Sequence, residues 1–249
     1  MQTILIGHRG EPETFPENSL AGFEAVLRAG AVCIETDVQI TADGVPVLCH
    51  DPDVLKVTGH DYVVMRTDYA TLGELPAGYP ERFGAQFTDA RLARLGELAA
   101  LLKRWPRARA FVEVKEESIE AFGAARVVGI ILAELRAALA QCIIISFQRD
   151  PLLHTRRASG LPIGWVLPEW SDGTHAAAAE LRPEYLICNR KRLPAETEPL
   201  WPGPWEWIAY TVNTAQDALA LRARGIALLE TDCIRRLLAD PRLAGAERD

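Results

Sequence analysis

Basic residues are in short supply in this chain. There are 27 lysines and arginines against 34 aspartates and glutamates, a net charge of -7 at pH 7. That deficit argues against nucleic acid as a partner, because nucleic acid is held by basic patches. It also argues against docking on an anionic membrane surface. Long apolar runs are missing too. The most apolar helical stretch, Val127 to Leu139, is broken by Glu134 and Arg136, short of the ~18 apolar residues that suit a membrane span. The first segment, Met1 to Ile6, carries no basic leader and runs straight into His8, so a cytoplasmic location without stable membrane association is the expectation. Cysteines number five, an odd count, and none form a C-x-x-C pair. A disulfide framework or a zinc knuckle is therefore not expected. Cys33, Cys49, Cys142 and Cys188 lie in or beside strand-like runs and read as small buried hydrophobes. Internal repeats and low-complexity tracts are absent.

What the chain does have is a regular alternation of short apolar runs and amphipathic stretches. Strands are expected at Thr3–Gly7, Val32–Val38, Val45–His50, Ala110–Lys115, Cys142–Phe147, Ile163–Leu167, Tyr185–Asn189, Trp207–Val212 and Ala227–Thr231. Most are continuous apolar runs, as parallel strands buried on both faces require. Helices are expected at Ser19–Ala29, Leu95–Trp105, Ile119–Ala138, Leu152–Ser159, His175–Glu180 and Ala215–Arg224. Asn18 or Ser19 caps the first and Thr214 the last, with Gly30 and Gly225 as stops. This order predicts an α/β fold with a parallel sheet. Of nine strands, the pair Val32–Val38 and Val45–His50 is joined by Thr41-Ala42-Asp43-Gly44, a turn signal. One strand is thus a hairpin partner, and the other eight fit a (β/α)8 TIM barrel, for which 249 residues is an ordinary length. A single domain over residues 1–249 is expected, with an irregular insertion at about 52–89.

Charged residues cluster where these strands end, in Gly7-His8-Arg9-Gly10, Glu35-Thr36-Asp37, His50-Asp51 and Glu113-Val114-Lys115. Residues i and i+2 of a strand share a face, so Glu35 aims with Asp37, and Glu113 with Lys115. Three carboxylates converging on one point suit a hard divalent cation, Mg²⁺ or Ca²⁺. A purely structural alternative is that they pair with Arg9 and Lys115. His8 and His50 beside such a cation suit a general acid and a general base. Arg9 and Lys115 suit an anionic substrate, and a phosphate ester is the anion that needs all of these groups. Glu169 follows the strand ending at Leu167 and is a candidate for binding a substrate hydroxyl.

The ordered set His8-Arg9-Gly10, Pro16-Glu17-Asn18-Ser19, Glu35-x-Asp37, Asp43-Gly44-Val45-Pro46-Val47, His50-Asp51 and Glu113-x-Lys115 resembles the glycerophosphodiester phosphodiesterases. The resemblance continues through Ser146-Phe147, Tyr210-Thr211-Val212-Asn213, Gly225 and Glu230-Thr231-Asp232, covering almost the whole chain. It implies a TIM barrel with a small insertion over the mouth, and one divalent cation, Ca²⁺ or Mg²⁺, on Glu35, Asp37 and Glu113. It further implies catalysis by His8 and His50, an aromatic at Tyr210 against the substrate, and a small glycerophosphodiester as that substrate. Departures are minor: Ser19 stands where Thr is commoner, Ala42 where Lys is commoner, and Lys56-Val57-Thr58-Gly59 replaces Arg-Thr-Thr-Gly. They bear on head-group preference. A lysophospholipase D-like hydrolase on the same fold and a barrel that binds a phosphodiester without turnover stay open as alternatives. So does the choice between monomer and homodimer.

Overall fold

The structure, a computed structural model, describes residues 2–243. Nine strands form one sheet: β1 (Ile4–Gly7), β2 (Cys33–Ile40), β3 (Pro46–Leu48), β4 (Arg109–Val114), β5 (Cys142–Ser146), β6 (Ile163–Val166), β7 (Tyr185–Asn189), β8 (Glu206–Tyr210) and β9 (Leu228–Thr231). The spatial order is β1-β9-β8-β7-β6-β5-β4-β2-β3, and a parallel β1–β2 pairing closes the ring. Only β3 is antiparallel; it folds back on β2 with Val38 opposite Leu48. The remaining eight are the parallel staves of the barrel, as the sequence pattern predicts. Register is set across the ring by pairs such as Asp37 with Glu113, and Ile6 with Glu230.

Two apolar layers explain why the strand sequences are almost uninterrupted. Ile6, Cys33, Phe111, Ile143, Tyr185, Ile208 and Leu228 fill the barrel's interior, one from nearly every stave. The alternate residues, among them Leu5, Ile34, Val112, Ile144, Leu186 and Leu229, pack outward against the helices. The helices beside the staves are α1 (Leu20–Arg28), α5 (Leu95–Lys103), α6 (Glu116–Phe122), α7 (Ala124–Leu135), α8 (Arg149–Ser159), α9 (Asp172–Leu181), α10 (Ala215–Ala223) and α11 (Ile234–Leu238). Three shorter ones, α2 (Leu55–Thr58), α3 (Tyr69–Leu72) and α4 (Pro80–Phe83), lie between β3 and α5. No described helix is long and apolar enough to cross a membrane.

Local chemistry accounts for the boundaries. Ser19 caps α1 by accepting from the Gly22 amide, and Thr214 caps α10 by accepting from the Asp217 amide. The single helix expected over Ile119–Ala138 is instead two, α6 and α7. The break is at Gly123, whose φ of 81° and ψ of 140° are foreign to a helix and strained for any side chain. Apolar periodicity runs through such a break unseen.

The insertion after β3 is not structureless. Val54, Val64, Leu72 and Ala77 from it join Val47, Cys49 and Leu92 in a small core of their own. The insertion is tied to the β2–β3 hairpin by backbone amides: the Thr67 carbonyl accepts from the Ala42 amide, and Asp43 Oδ1 accepts from the Tyr69 amide at 3.0 Å.

Candidate active site

The carboxyl ends of parallel staves are where a barrel presents its side chains to a ligand. Here one pocket at that end is lined by His8, Arg9, Glu35, His50, Glu113, Lys115, Ile145, Phe147, Val166, Ile187, Tyr210 and Glu230. It has two unlike halves. The staves β9, β1, β2 and β4 supply the charged groups, while β5 to β7 supply Ile145, Val166 and Ile187.

Glu35, Asp37 and Glu113 offer carboxylate oxygens that all lie within 4.8 Å of one another. Glu35 and Asp37 are almost fully buried, at 2% and 1% exposure. The chain holds them firmly. The Arg9 amide donates to Glu35 Oε2 at 3.0 Å, from a backbone bent to φ 52° in the turn that follows β1. That turn is tight: a Cβ on Gly7 would sit 2.7 Å from the Gly10 carbonyl oxygen, so position 7 needs glycine. Asn18 grips the next ligand from both sides. Its Nδ2 donates to Asp37 Oδ2 at 3.0 Å, and its Oδ1 accepts from Thr36 Oγ1 at 2.8 Å and from the Asp37 amide at 3.3 Å.

Arg9 and Lys115 bind into the same cluster. Lys115 Nζ lies 2.9 Å from Glu113 Oε1 and 3.5 Å from Asp37 Oδ1. Arg9 Nε lies 3.1 Å from Asp37 Oδ2, an ion pair too poorly aligned to be a hydrogen bond, and Nη1 reaches Glu17 Oε1 at 3.3 Å. Glu17 also accepts from Lys56 of α2, which ties the insertion to the pocket's edge. The pairing expected under a purely structural reading therefore exists, but it leaves the charges unbalanced. Four buried carboxyls, on Glu35, Asp37, Glu113 and Glu230, face two cations, Arg9 and Lys115. Negative charge therefore outweighs positive around Glu35, Asp37 and Glu113, and a cluster of oxygen donors in that state suits a divalent cation.

Proton affinities record the same imbalance. Burial, then the charges of Asp37, Glu230 and Glu113, pushes the Glu35 carboxyl well up. Burial and Asp37 push Glu113 up to about 7 although Lys115 opposes them. Burial and Glu113 push Glu230 up to about 8. Burial works on Asp37 in the same sense but is overcome by Arg9 and Lys115, and its carboxyl is held well below the usual range. Carboxyls that would otherwise hold protons at neutral pH are groups a cation would relieve.

Each histidine is braced by a carboxylate. His8 Nδ1 is 2.7 Å from Asp232 Oδ1, and His50 Nδ1 is 2.7 Å from Asp51 Oδ1. Both therefore keep Nδ1 engaged and leave Nε2 for a ligand. Asn213 orients the first pair, donating from Nδ2 to Asp232 Oδ2 at 2.9 Å while its Oδ1 accepts from the Asp232 amide and from Thr231 Oγ1. Burial lowers the His50 pKa, although the charge of Asp37 opposes it, and so favours the uncharged ring. For Asp232, burial is outweighed by the hydrogen bond and charge of His8, which hold its carboxyl down.

Of the residues singled out in the sequence, His8, Arg9, Glu35, Asp37, His50, Glu113, Lys115 and Tyr210 come together here. Glu169 does not. It is exposed after β6, outside the pocket lining, and accepts from Ser171 Oγ at 2.8 Å. Asn18, Asp51, Asn213, Glu230 and Asp232 stand in the motifs quoted from the sequence without a specific site role there; in the structure Asn18 supports Asp37, Asp51 and Asp232 brace the histidines, Asn213 holds Asp232, and Glu230 lines the pocket. A carboxylate at the inward register of an apolar strand was the available signal for Glu230.

Comparison with known proteins agrees with this geometry. Residues 8–235 match the model of the glycerophosphoryl diester phosphodiesterase family. A glycerophosphodiester phosphodiesterase of Caldanaerobacter subterraneus is 36% identical over 102 residues, which is 41% of each chain. The matched segment thus spans well under half of that relative. Among solved structures, one from Silicibacter pomeroyi superposes with a TM-score of 0.82 at 26% identity, covering 98% of this chain and 95% of that one. An Oleispira antarctica phosphodiesterase, solved with its product sn-glycerol-3-phosphate, gives 0.83 at 20% identity over 95% of both chains; at that identity the likeness is one of fold. With the family model spanning nearly the whole barrel, the chain belongs to the glycerophosphoryl diester phosphodiesterase family.

Proposed function

We propose that the protein is a metal-dependent phosphodiesterase that hydrolyses glycerophosphodiesters to an alcohol and sn-glycerol 3-phosphate. The observation that carries this reading is the meeting of three clustered carboxylates with two carboxylate-braced histidines in one pocket. Glu35, Asp37 and Glu113 would hold one divalent cation. Their all-oxygen donor set favours Mg²⁺ or Ca²⁺ over zinc. Bound there, the ion would draw charge from a phosphate oxygen.

The chain's own residues do the rest. Arg9 and Lys115 offset negative charge on the phosphoryl oxygens as it grows in the transition state. One histidine takes the proton of the nucleophile, water or the substrate's own glycerol 2-hydroxyl; the latter gives a cyclic phosphate that water then opens to glycerol 3-phosphate. The new P–O bond forms as the bond to the alcohol breaks. The other histidine gives its proton to the departing alkoxide. Asp232 and Asp51 keep each ring in the tautomer that presents Nε2. Tyr210 and the wall of Ile145, Val166 and Ile187 pack against the carbon skeleton. Glu169 would meet only a head group that extends past the pocket. Five buried free thiols suit a reducing cytoplasm.

Phosphorus NMR of glycerophosphocholine treated with metal-loaded protein tests the reading. Glycerol 3-phosphate and choline are the expected products. Phosphocholine and glycerol, or unchanged substrate from folded protein, would contradict it.

A further inference from the structure

Glu230 is a buried acid to which the proposed reaction gives no task. It is 3% exposed and lines the pocket from β9, level with Ile6 of β1. Its Oε1 is the only buried carboxyl oxygen among the described residues without a hydrogen-bond partner. A buried polar atom left in that state carries a penalty unless a partner arrives. The side chain that carries this atom is part of the pocket's lining.

Charge and geometry narrow the partner. A phosphate oxygen has no proton to give, and a carboxylate would repel it. The cation cluster is the set Glu35, Asp37 and Glu113, in which Glu230 has no part. What remains is a substrate O–H. Depth says which one. Glu230 is almost fully covered, while His50 and Lys56 keep 32% and 34% of their side chains exposed. The part of the substrate that enters deepest is the small constant part, the glycerol phosphate, and variable head groups stay toward the mouth. The wall beyond is apolar, with Ile145, Val166 and Ile187 suited to carbon rather than oxygen. Among the acids that line this cavity, Glu230 is the one that stands outside the cation cluster and has an oxygen without a partner.

We propose that Glu230 binds a hydroxyl of the glycerol moiety and so selects glycerol phosphates over hydroxyl-free alkyl phosphates. The inference rests on the proposed function of the same pocket. Charged or neutral, the carboxyl keeps an acceptor oxygen for this bond. A hydrogen bond to a buried charged group contributes about 1.5–3 kcal/mol, a factor of roughly 10 to 150 in affinity.

The test is calorimetric binding of sn-glycerol 3-phosphate and n-propyl phosphate, which share phosphate and three carbons, to metal-loaded protein. Wild type is expected to prefer glycerol 3-phosphate by roughly 10-fold or more. Glu230→Met should erase the preference while leaving propyl phosphate affinity within about twofold, and Glu230→Gln, which keeps an acceptor, should restore part of it. Loss of both ligands alike in Glu230→Met, or wild type without a preference, would overturn the proposal. If Glu230→Met fails to fold, Glu230→Ala gives the same comparison, and the wild-type preference stands as a test by itself. Turnover of glycerophosphocholine is read separately, so failure of the reaction and failure of the hydroxyl contact are told apart.

Discussion

Replacing Asp232 by asparagine should disable His8 while barely disturbing the fold. Asp232 accepts two bonds, from His8 Nδ1 at 2.7 Å and from Asn213 Nδ2 at 2.9 Å. Asn213 has no freedom to turn round, because its Oδ1 already accepts from the Asp232 amide and from Thr231 Oγ1. An asparagine at 232 offers one acceptor and one donor where two donors converge. If its oxygen stays with Asn213, its amide faces His8 and drives the ring proton from Nδ1 to Nε2. The ring then presents a donor where an acceptor was, and it loses the carboxylate that stabilises its charged form. Either consequence harms His8, whether it serves as base or as acid. A comparable change in a serine protease triad lowers kcat about 10⁴-fold, and general acid–base catalysis by one group contributes 10²–10⁴-fold in other enzymes. Asp232→Asn should thus lower kcat by about 10²–10⁴-fold, or about 3–5 kcal/mol. The stability effect is small, since the two side chains are 34% and 16% exposed. About 1 kcal/mol corresponds to a Tm loss of roughly 2–4 °C for a chain of this size. A coupled assay of glycerol 3-phosphate release and a thermal melt measure the two. A variant within threefold of wild-type kcat would refute the role of the Asp232–His8 pair.

Three further outcomes follow from the same geometry. Asn18→Ala strands Thr36 Oγ1 and the Asp37 amide in a buried site and leaves Asp37 Oδ2 with Arg9 alone, and should destabilise the fold by about 2–4 kcal/mol in denaturant titration; unchanged stability would remove Asn18 from the support of Asp37. Glu113→Gln takes away one of the three clustered carboxylates, so Ca²⁺ or Mg²⁺ affinity by calorimetry should fall by more than the roughly 10–100-fold typical of losing an outer-shell partner, and equal affinity would displace the ion from this cluster. In metal-free protein, Glu113 and Glu230 are pushed up to about 7 and about 8, so the stability they contribute is full below their unfolded values and is lost as pH rises toward 8. The depressed His50 acts in the opposite sense but is a single half-buried ring. The metal-free Tm should therefore fall between pH 5 and 8, and the rise in Tm on adding the cation should grow over the same window, because the ion replaces protons; a flat or rising metal-free Tm would contradict this.

Much of the barrel was legible because its determinants are local. Continuous apolar runs marked staves buried on both faces, and Thr41-Ala42-Asp43-Gly44 marked the one hairpin, so that eight parallel strands and one antiparallel strand could be told apart. The period of two put Glu35 with Asp37 and Glu113 with Lys115, and the structure shows each pair on one face of its strand. What stayed hidden depends on contacts far apart in the chain. Asp232 meets His8 across 224 positions, and nothing near either residue announces it. Glu230 stands in a Glu-Thr-Asp run much like Glu35-Thr36-Asp37, yet only the pocket shows its depth and its unpartnered oxygen. Glu169 follows its strand closely enough to suggest the mouth; it is exposed after β6, outside the pocket lining, and accepts from Ser171. The insertion's core needs Val47 and Leu92 from outside it, so its own sequence reads as irregular. Gly123 divided a helix whose apolar periodicity gave no warning.

The most direct test of the central claim is glycerol 3-phosphate release from glycerophosphocholine by protein stripped of metal and then given Ca²⁺, Mg²⁺ or EDTA. Release that depends on one of these ions, and that Glu35→Gln abolishes, is the predicted result. Release at full rate in EDTA would contradict a reaction built on the Glu35, Asp37 and Glu113 cluster.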